Sequence, residues 1–330
     1  MRRREFLGVA GGASIAWPFA PQAQQAGRMR HVGALMPGAE GDPDEHARLQ
    51  VFQKTLGELG WTVGQNVRIQ IRQAGGRADR FQSYAAELVA ASPDVLVADA
   101  TPSTAALQRE TRIIPIVFVR VTDPLGQGFV SDVARPGGNI TGFSNYEPAM
   151  GGKWLDLLKE AVPHIERVAL IYNPLTAPYT PSFLPTFETA ARARGLTLVD
   201  VPVRNVDELK AAIATQGRES GVGAILQTDT FLVVHRNVVA AWATRHRLPT
   251  ISPVRVFAAS GCLLSYGVKI NSMYQGAATY VDRILRGSKA AELAVQWPTE
   301  FELVINLKTA KALSLTIPPT VLARADEVIE

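Results

Sequence analysis

The sequence predicts an α/β fold of two doubly wound, Rossmann-like units, each built on a parallel sheet. Apolar runs of strand length alternate with helical patterns, an order that implies parallel strands with helices on both faces. The alternation begins again near residue 150, so two sheets are favoured over one very wide sheet. The 330 residues, 47% of them apolar, suffice for two cores of ordinary size.

In the first half, each predicted strand ends at a polar, glycine-rich or proline-containing segment. The strands are predicted at 31–38, 66–74, 94–100, 114–122 and 137–145, and the helices at 44–60, 78–93 and 103–111. Apolar and polar residues alternate along segment 66–74, which is the period of two expected for a strand with one buried face. Helix 44–60 is predicted to end at Gly60.

The second half repeats this order and begins with a helix. Helices are predicted at 151–163, 182–195, 206–216, 233–247 and 273–287, and strands at 167–174, 196–203, 223–230, 249–254 and 261–268. Segment 298–330 predicts a further strand and then a helix. The two halves share this plan without an obvious repeat of sequence.

Residues 1–26 have the composition of a signal peptide. Arginines precede an apolar stretch from Phe6 to Ala20 that glycines and a proline interrupt and that is short for a membrane span. The motif RREFL at 3–7 resembles a twin-arginine export signal, and a general secretory signal is the alternative. Cleavage is expected after Ala23 or Ala26, where no cysteine is available for lipid attachment. The mature chain is therefore predicted to be periplasmic, without membrane insertion, and not a lipoprotein.

Charge, cysteine content and missing motifs argue against several functional classes. The net charge is only +4, and no Lys/Arg run with interleaved aromatic residues follows residue 30, so nucleic acid is not a predicted partner. The single cysteine, Cys262, cannot form an internal disulfide and is expected to be buried. No GxGxxG follows the first strand, and P-loop, GxSxG and HExxH motifs are missing, so no cofactor or metal is predicted.

Polar side chains gather where the predicted strands end, and ligands of open parallel sheets bind beyond these ends. They occur at Met36-Pro37-Gly38, Thr122-Asp123-Pro124, Tyr172-Asn173-Pro174, Thr228-Asp229-Thr230 and Ser252-Pro253, and at segment 101–104. In that segment Thr101 is predicted to cap a helix with Pro102 in its first position. The N–H groups of Ser103 and Thr104 are then open to a carboxylate. An ordinary cap facing solvent is the alternative.

Five longer stretches carry a resemblance to a known family. They are 114–145, 153–174, 246–267 (HRLPTISPVRVFAASGCLLSYG), 280–287 (YVDRILRG) and 298–330. They resemble the substrate-binding proteins of ABC transporters of the tryptophan/tyrosine type, which have the type I periplasmic binding protein fold. The resemblance extends over about residues 30–330.

This resemblance implies two lobes joined by three crossovers, expected near 143–150, 265–268 and 294–301. Lobe 1 would comprise 27–145 and 267–296, and lobe 2 would comprise 146–266 and 297–330. The lobes would close on a small-molecule ligand, and the closed form would dock on an ABC permease in the inner membrane. A monomer is the default expectation for such a receptor.

Characterised relatives bind aromatic amino acids through loop hydroxyls and backbone N–H groups at strand ends. Carried over by position, the candidates are Thr101, Ser103, Thr104, Asp123, Ser144, Asn145, Thr228, Asp229, Thr230, Ser265 and Tyr266. Tyr146, Tyr172, Asn173 and Pro253 join them from the strand ends and crossovers. An aromatic body would stack on Tyr146, Tyr172, Phe231 or Tyr266. Since Thr228-Asp229-Thr230 replaces an Asp-Asn-Thr-like segment of relatives, an aromatic amino acid and an aromatic or other small organic acid both stay open.

Two functions of other kinds also stay open. An enzyme with two Rossmann-like domains would need an acid–base pair, for which Asp123 and Asp229 are the candidates. The simpler interpretation is that each carboxylate binds an amine or caps its own loop. A sensory receptor would use the same fold and the same site.

Overall fold

The structure is a computed structural model that describes residues 28–146 and 149–330. The first part of the chain forms strands β1 (Arg30–Met36), β2 (Val67–Gln73), β3 (Val95–Asp99), β4 (Ile116–Val121) and β5 (Ile140–Ser144), with helices α1 (Pro43–Glu58), α2 (Ala78–Ala90) and α3 (Ala100–Glu110). In β1, Ala34 lies in a buried cluster with α1, whereas Leu35 lies in another with α2 and α3. Because successive side chains of a strand point to opposite faces, helices cover both faces of this sheet.

The second part of the chain follows the same principle. It contains α4 (Met150–Ala161), β6 (Arg167–Tyr172), α5 (Thr180–Arg192), β7 (Thr197–Pro202), α6 (Val206–Arg218), β8 (Val222–Leu226), α7 (Thr230–Val234), α8 (Arg236–Arg245), β9 (Thr250–Ser252), α9 (Arg255–Ala259) and β10 (Leu264–Val268). Leu170 of β6 packs with α4 and α5, and Ile171 packs with α6 and α8. Both faces of the second sheet are therefore buried as well.

The last part of the chain contributes to both sheets. It forms α10 (Ile270–Leu285), a 3-10 helix (Ala290–Glu292), β11 (Phe301–Asn306), α11 (Leu307–Ala312), α12 (Pro319–Leu322) and β12 (Glu327–Ile329). Helix α10 returns to the first sheet, where Tyr274 and Val281 are buried in one cluster with Phe52 of α1 and Val97 of β3. Strands β11 and β12 belong to the second sheet.

The strand order among the described residues is β2-β1-β3-β4-β5 in the first sheet and β12-β11-β10-β9-β8-β6-β7 in the second. All paired strands are parallel except β10 and β11, which are antiparallel. The predicted α/β class with two parallel-dominated sheets is confirmed. We call the first sheet with α1–α3, α10 and the 3-10 helix the first lobe, and the rest the second lobe. Since β10 extends to Val268, the chain leaves the second sheet slightly after the predicted boundary at residue 267.

Three local predictions were wrong. Thr101 does not cap α3, because the helix begins at Ala100 (φ 69°), and Asp99, which precedes it, makes no capping bond. The predicted helix 233–247 is broken at His235 into α7 and α8. Helix α9 follows β9 directly, where the sequence analysis assigned no helix.

Two further predictions concern burial and the membrane. Cys262 is fully buried, as predicted, and burial raises the pKa of its thiol to about 12. In the described ranges, no helix combines the length and the apolar character that crossing a bilayer requires. The predicted signal peptide, residues 1–26, lies outside the described residues, so the export motif stays a prediction.

Candidate functional site

A cavity lies between the two lobes. The first lobe lines it with Pro37, Gly38, Asp42, Asp44, Glu45, Arg48, Thr101, Arg120 and Thr122, and the second lobe with Thr176, Tyr179, Thr228, Asp229, Thr230, Val234 and Arg236. We call this space the first cavity. It lies beyond the carboxyl ends of β1, β3, β4 and β8, which is where open parallel sheets hold their ligands.

A second cavity adjoins the first and shares Arg120 and Thr228 with it. Its lining is mainly apolar and includes Tyr146, Met150, Trp154, Pro253, Val254, Val268, Ile270 and Phe301, together with Asn145. The hydroxyl of Tyr146 donates to Gln227 at 2.6 Å, and its ring packs edge-on against Trp154. The two cavities thus combine a charged chamber with an apolar one near the crossovers.

The lobes touch each other across the first cavity. Arg236 of α8 donates to Asp42 at 2.7 Å and to Asp44 at 3.4 Å, and both aspartates lie at the start of α1. A Cβ on Gly76 would approach Val234 of α7 to 3.1 Å, and the positive φ of Gly76 (70°) also favours glycine. These contacts describe a closed arrangement of the two lobes.

A buried ion pair forms part of the wall on the first lobe. Arg120, at the end of β4, donates two hydrogen bonds to Asp99 at 2.7 and 2.6 Å, and Tyr274 of α10 donates a third at 2.6 Å. Burial acts against the charge of Arg120, but the Asp99 carboxylate raises its pKa above the ordinary value. Both charges are therefore compensated inside the protein, and Arg120 is held rigidly at the junction of the two cavities.

Arg48 of α1 differs from Arg120 because no carboxylate in the described protein forms a salt bridge with it. The residue is only 8% exposed and lines the first cavity. Burial and the neighbouring Arg120 lower the pKa of Arg48, which stays cationic as arginines do in proteins. A buried cation without a partner is unfavourable unless a ligand supplies the anion.

Glu45 precedes Arg48 by one helical turn and also lines the first cavity. It is 1% exposed, and its Oε1 accepts a hydrogen bond from Gln73 at 2.9 Å. Burial raises the pKa of Glu45 to about 7, so a large share of the carboxyl is neutral near neutral pH. This group therefore compensates the charge of Arg48 only weakly.

Asp229, after β8, is the buried carboxylate of the second lobe. It accepts hydrogen bonds from the hydroxyl of Thr176 and from the backbone N–H groups of Asn173 and Phe231. Burial outweighs these donors and raises its pKa to about 6. Asp229 thus caps α7 and ties it to the loop that follows β6, and it also faces the first cavity.

Several buried polar atoms near the cavities have no partner in the described structure. Asn145 accepts from Thr122 at 2.9 Å, which leaves its Nδ2 without an acceptor. The side-chain oxygen of Gln227 accepts from the hydroxyl of Tyr146, and its Nε2 atom has no acceptor. The hydroxyls of Thr228 and Thr230 are also unpaired. Buried polar atoms are normally hydrogen-bonded, so this group indicates where a ligand binds.

The structure brings some of the predicted site residues to the cavities and leaves others elsewhere. Thr101, Asn145, Tyr146, Thr228, Asp229, Thr230 and Pro253 line a cavity. Ser103, Thr104, Asp123, Ser144, Tyr172, Asn173, Phe231, Ser265 and Tyr266 do not. The predicted set therefore divides into a group at the cleft and a group in the surrounding scaffold.

The residues away from the cavities have structural contacts of their own. Thr104 donates to the Ala100 carbonyl, Ser144 donates to the Val121 carbonyl, and Asp123 accepts from the N–H of Gly126 in its own loop. Tyr172 is buried in the core of the second lobe, where burial and the adjacent Asp200 raise its pKa to about 12. The ring of Tyr266 stacks on Phe301, while Ser103 and Ser265 are buried with unpaired hydroxyls.

Sequence reasoning missed the charged residues of α1. Glu45, Arg48, Leu49, Phe52 and Leu56 are the buried positions of this helix, and their spacing traces one face. Two charges on an otherwise apolar face are a signal that the sequence carries. Among the described residues, no cluster of three or more His, Cys, Asp or Glu is arranged to hold a metal ion.

A family model and a characterised relative both match this chain over most of its length. The model of the family described as ABC transporter substrate binding protein matches residues 41–329. A tyrosine-binding protein from Clostridioides difficile (strain R20291) is 28% identical over 269 residues, which cover 80% of this chain and 75% of that protein.

Two crystal structures resemble the protein over nearly its whole described length. A conserved domain protein from Vibrio cholerae has a TM-score of 0.85 and 28% identity, and the match covers 91% of this chain and 100% of that one. A domain from Streptococcus pneumoniae in complex with L-Trp has a TM-score of 0.84 and 24% identity, with the same coverage. At 24% identity, the match to the Streptococcus pneumoniae domain is evidence of a shared fold only.

Proposed function

The chain belongs to the family of ABC transporter substrate-binding proteins, and from this premise we propose that it is the periplasmic receptor of an ABC importer. In this role the open protein binds a small molecule between its lobes, closes, and delivers the ligand to a permease in the inner membrane. The family consists of binding proteins rather than enzymes. Export from the cytoplasm agrees with the predicted signal peptide.

The observation that carries this proposal is that one cavity is lined by both lobes and closed by an ion pair between them. Arg236 belongs to the second lobe and Asp42 to the first, so their contact forms only when the lobes approach each other. A ligand in the cavity touches both lobes and therefore favours the closed state over the open one. Coupling of ligand binding to closure is what a solute receptor requires.

The lining of the cavities supports a small ligand that bears a carboxylate. Arg48 lines the first cavity and forms no salt bridge within the described protein, and planar guanidinium groups match carboxylates in geometry. The second cavity adds the apolar walls of Trp154 and Phe301, which suit a hydrocarbon or aromatic body. Both an aromatic amino acid and an organic acid fit this description.

An acid–base enzyme is less well supported by the same residues. Asp229 lines the first cavity, but Asp123 does not, and its carboxylate accepts from Gly126 within its own loop. The two carboxylates suggested as a catalytic pair therefore do not share the cavity. The proposed receptor needs no chemical step.

The proposal is tested by ligand binding to the purified protein. Thermal unfolding is measured with amino acids, aromatic acids, short aliphatic acids and sugars, because a ligand at a hundredfold excess over Kd stabilises by about 2.7 kcal/mol. We expect one chemical class to raise the Tm, the ligand to be recovered unchanged, and small-angle scattering to show compaction. Chemical conversion of the ligand, or binding without compaction, would contradict the proposal.

A further inference from the structure

Some of the hydrogen-bond donors at the first cavity and its junction with the second cavity have no acceptor. The guanidinium of Arg48 forms no salt bridge with any carboxylate of the described residues, although Arg48 is more than nine-tenths buried and lines the first cavity. At the junction with the second cavity, the Nδ2 atom of Asn145 has no acceptor either. The oxygen of this amide accepts from the hydroxyl of Thr122. These groups need oxygen acceptors, and an anionic ligand provides them.

The acceptors that line the first cavity are, by contrast, already engaged. Asp42 accepts from Arg236 and from two backbone N–H groups, and Asp44 accepts from Arg236 as well. Asp229 accepts from three donors, and Glu45 accepts from Gln73. A ligand ammonium would therefore share these carboxylates with the donors that they already accept from.

Backbone carbonyls at the cavity are engaged in the same way. Those of Pro37 and Gly38 accept from the N–H groups of Gly76 and Gly75, and that of Thr228 accepts from Tyr179. The first cavity thus offers a ligand the guanidinium of Arg48, which has no salt bridge, whereas each carboxylate in its lining already accepts at least one hydrogen bond. A ligand carboxylate therefore gains a charge partner in this site, whereas a ligand ammonium shares acceptors that already have a donor.

We propose that Arg48 anchors the carboxylate of the ligand, and that the ligand is an organic acid without an ammonium group rather than a zwitterionic amino acid. This inference rests on the proposed receptor function and specifies its ligand class. The carboxylate lies on the first lobe against Arg48, and the body of the ligand extends past Arg120 and Thr228 toward the apolar second cavity. The ligand thereby supplies the counter-charge that the buried guanidinium lacks.

Matched pairs of compounds test the ligand class directly. 3-Phenylpropionate and L-phenylalanine differ only by the ammonium group, as do 3-(4-hydroxyphenyl)propionate and L-tyrosine, and succinate and L-aspartate. Calorimetry with the purified protein measures both members of each pair. Where a pair shows binding, we expect the deaminated acid to bind at least about tenfold more tightly than the corresponding amino acid. An amino acid that binds as tightly as its deaminated partner would overturn the inference while leaving the receptor function intact.

Variants of α1 test the anchor. Arg48→Met is expected to weaken binding of the acid by about tenfold to a hundredfold, because a charge-assisted hydrogen bond is lost. Arg48→Lys, which keeps the charge, should retain part of the affinity. Lys54→Met removes one positive charge from an exposed position of the same helix and serves as the matched control.

The outcomes separate the inference from the function on which it rests. If Arg48→Met binds the acid as tightly as the unchanged protein, or if only uncharged compounds such as sugars bind, the anchor is wrong and the receptor function stands. If no compound of any class binds and none is released on denaturation, the receptor function is wrong as well. Circular dichroism of Arg48→Met and Arg48→Lys establishes that both variants are folded.

Discussion

Arg236 of the second lobe lies 2.7 Å from Asp42 of the first lobe, and the two residues are 194 positions apart in the chain. Their side chains are 14% and 12% exposed, so the pair is well shielded from water. Burial acts to raise the pKa of Asp42, but the hydrogen bond from Arg236 and the N–H groups of α1 lower it below its ordinary value. The pair joins the lobes only in the closed state and therefore stabilises that state selectively.

Arg236→Met is expected to weaken ligand binding about fivefold, since it removes roughly 1 kcal/mol from the closed state alone. Calorimetry measures the affinity, and small-angle scattering measures how far the ligand compacts the protein. Arg192→Met, at an exposed position of α5 in the same lobe, is the control. Arg236 is the residue to change, because Asp42 also caps α1. Equal affinity and equal compaction in both variants would show that the pair contributes nothing to closure.

Arg120→Met is expected to destabilise the fold by about 3–5 kcal/mol, because it leaves Asp99 buried without its counter-charge. Tyr274→Phe removes one hydrogen bond to the same carboxylate and should cost only about 1 kcal/mol. Urea unfolding monitored by circular dichroism gives both free energies. A similar loss in the two variants would mean that Asp99 is solvated when Arg120 is absent.

The fold could be predicted from the sequence because its signals are local. Apolar runs such as 95–98 and 168–172 have strand length, and helical periodicity follows in the segments between strands, so the type of each element can be predicted from its own residues. A helix boundary was predicted wrongly where a polar capping residue, rather than the spacing of apolar residues, determines where the helix begins. Asp229 caps α7 and starts a helix that the apolar period did not reveal.

The site could be predicted only in part, because it is assembled from distant segments. Thr101, Thr228 and Asp229 were found since they follow strands, and strand ends meet at one edge of a sheet. Arg48 lies on a helix, and no local pattern shows that this part of the helix borders the cavity between the lobes. Tyr179 reaches the cavity from the loop before α5, where its hydroxyl donates to the carbonyl of Thr228, a contact between segments 49 positions apart.

Thr228→Val is expected to weaken ligand binding about threefold to tenfold without lowering the Tm of the unliganded protein. Thr228 lines both cavities, and its hydroxyl is buried beside them without a partner in the described structure, so its removal should cost the unliganded fold little. Thr197→Val, at an exposed position of β7, is the isosteric control. A lower Tm for Thr228→Val in the unliganded protein would indicate that the hydroxyl is paired with water or with protein.

Glu45 is expected to make the protein less stable as the pH rises. Burial raises its pKa to about 7 from an ordinary value of 4.5, so between these values the folded protein binds more protons than the unfolded chain. Stability therefore falls as pH increases through this window, and the neutral carboxyl is the form that the fold favours. Asp229, with a pKa of about 6, acts in the same direction at lower pH, so the interval from pH 6 to 8 isolates Glu45 best.

Glu45→Gln mimics the neutral carboxyl and should remove this dependence. Between pH 6 and 8 the unfolding free energy of the unchanged protein is expected to fall by about 1.4 kcal/mol more than that of the variant. Urea unfolding at several pH values measures the difference, and Glu58→Gln on the exposed end of α1 is the control. The groups that face Glu45 are Gln73, Arg48, Asp99 and Arg120. Parallel pH profiles for the unchanged protein and Glu45→Gln would mean that Glu45 is ionised at pH 6, and the charge of Arg48 would then be compensated from within the protein.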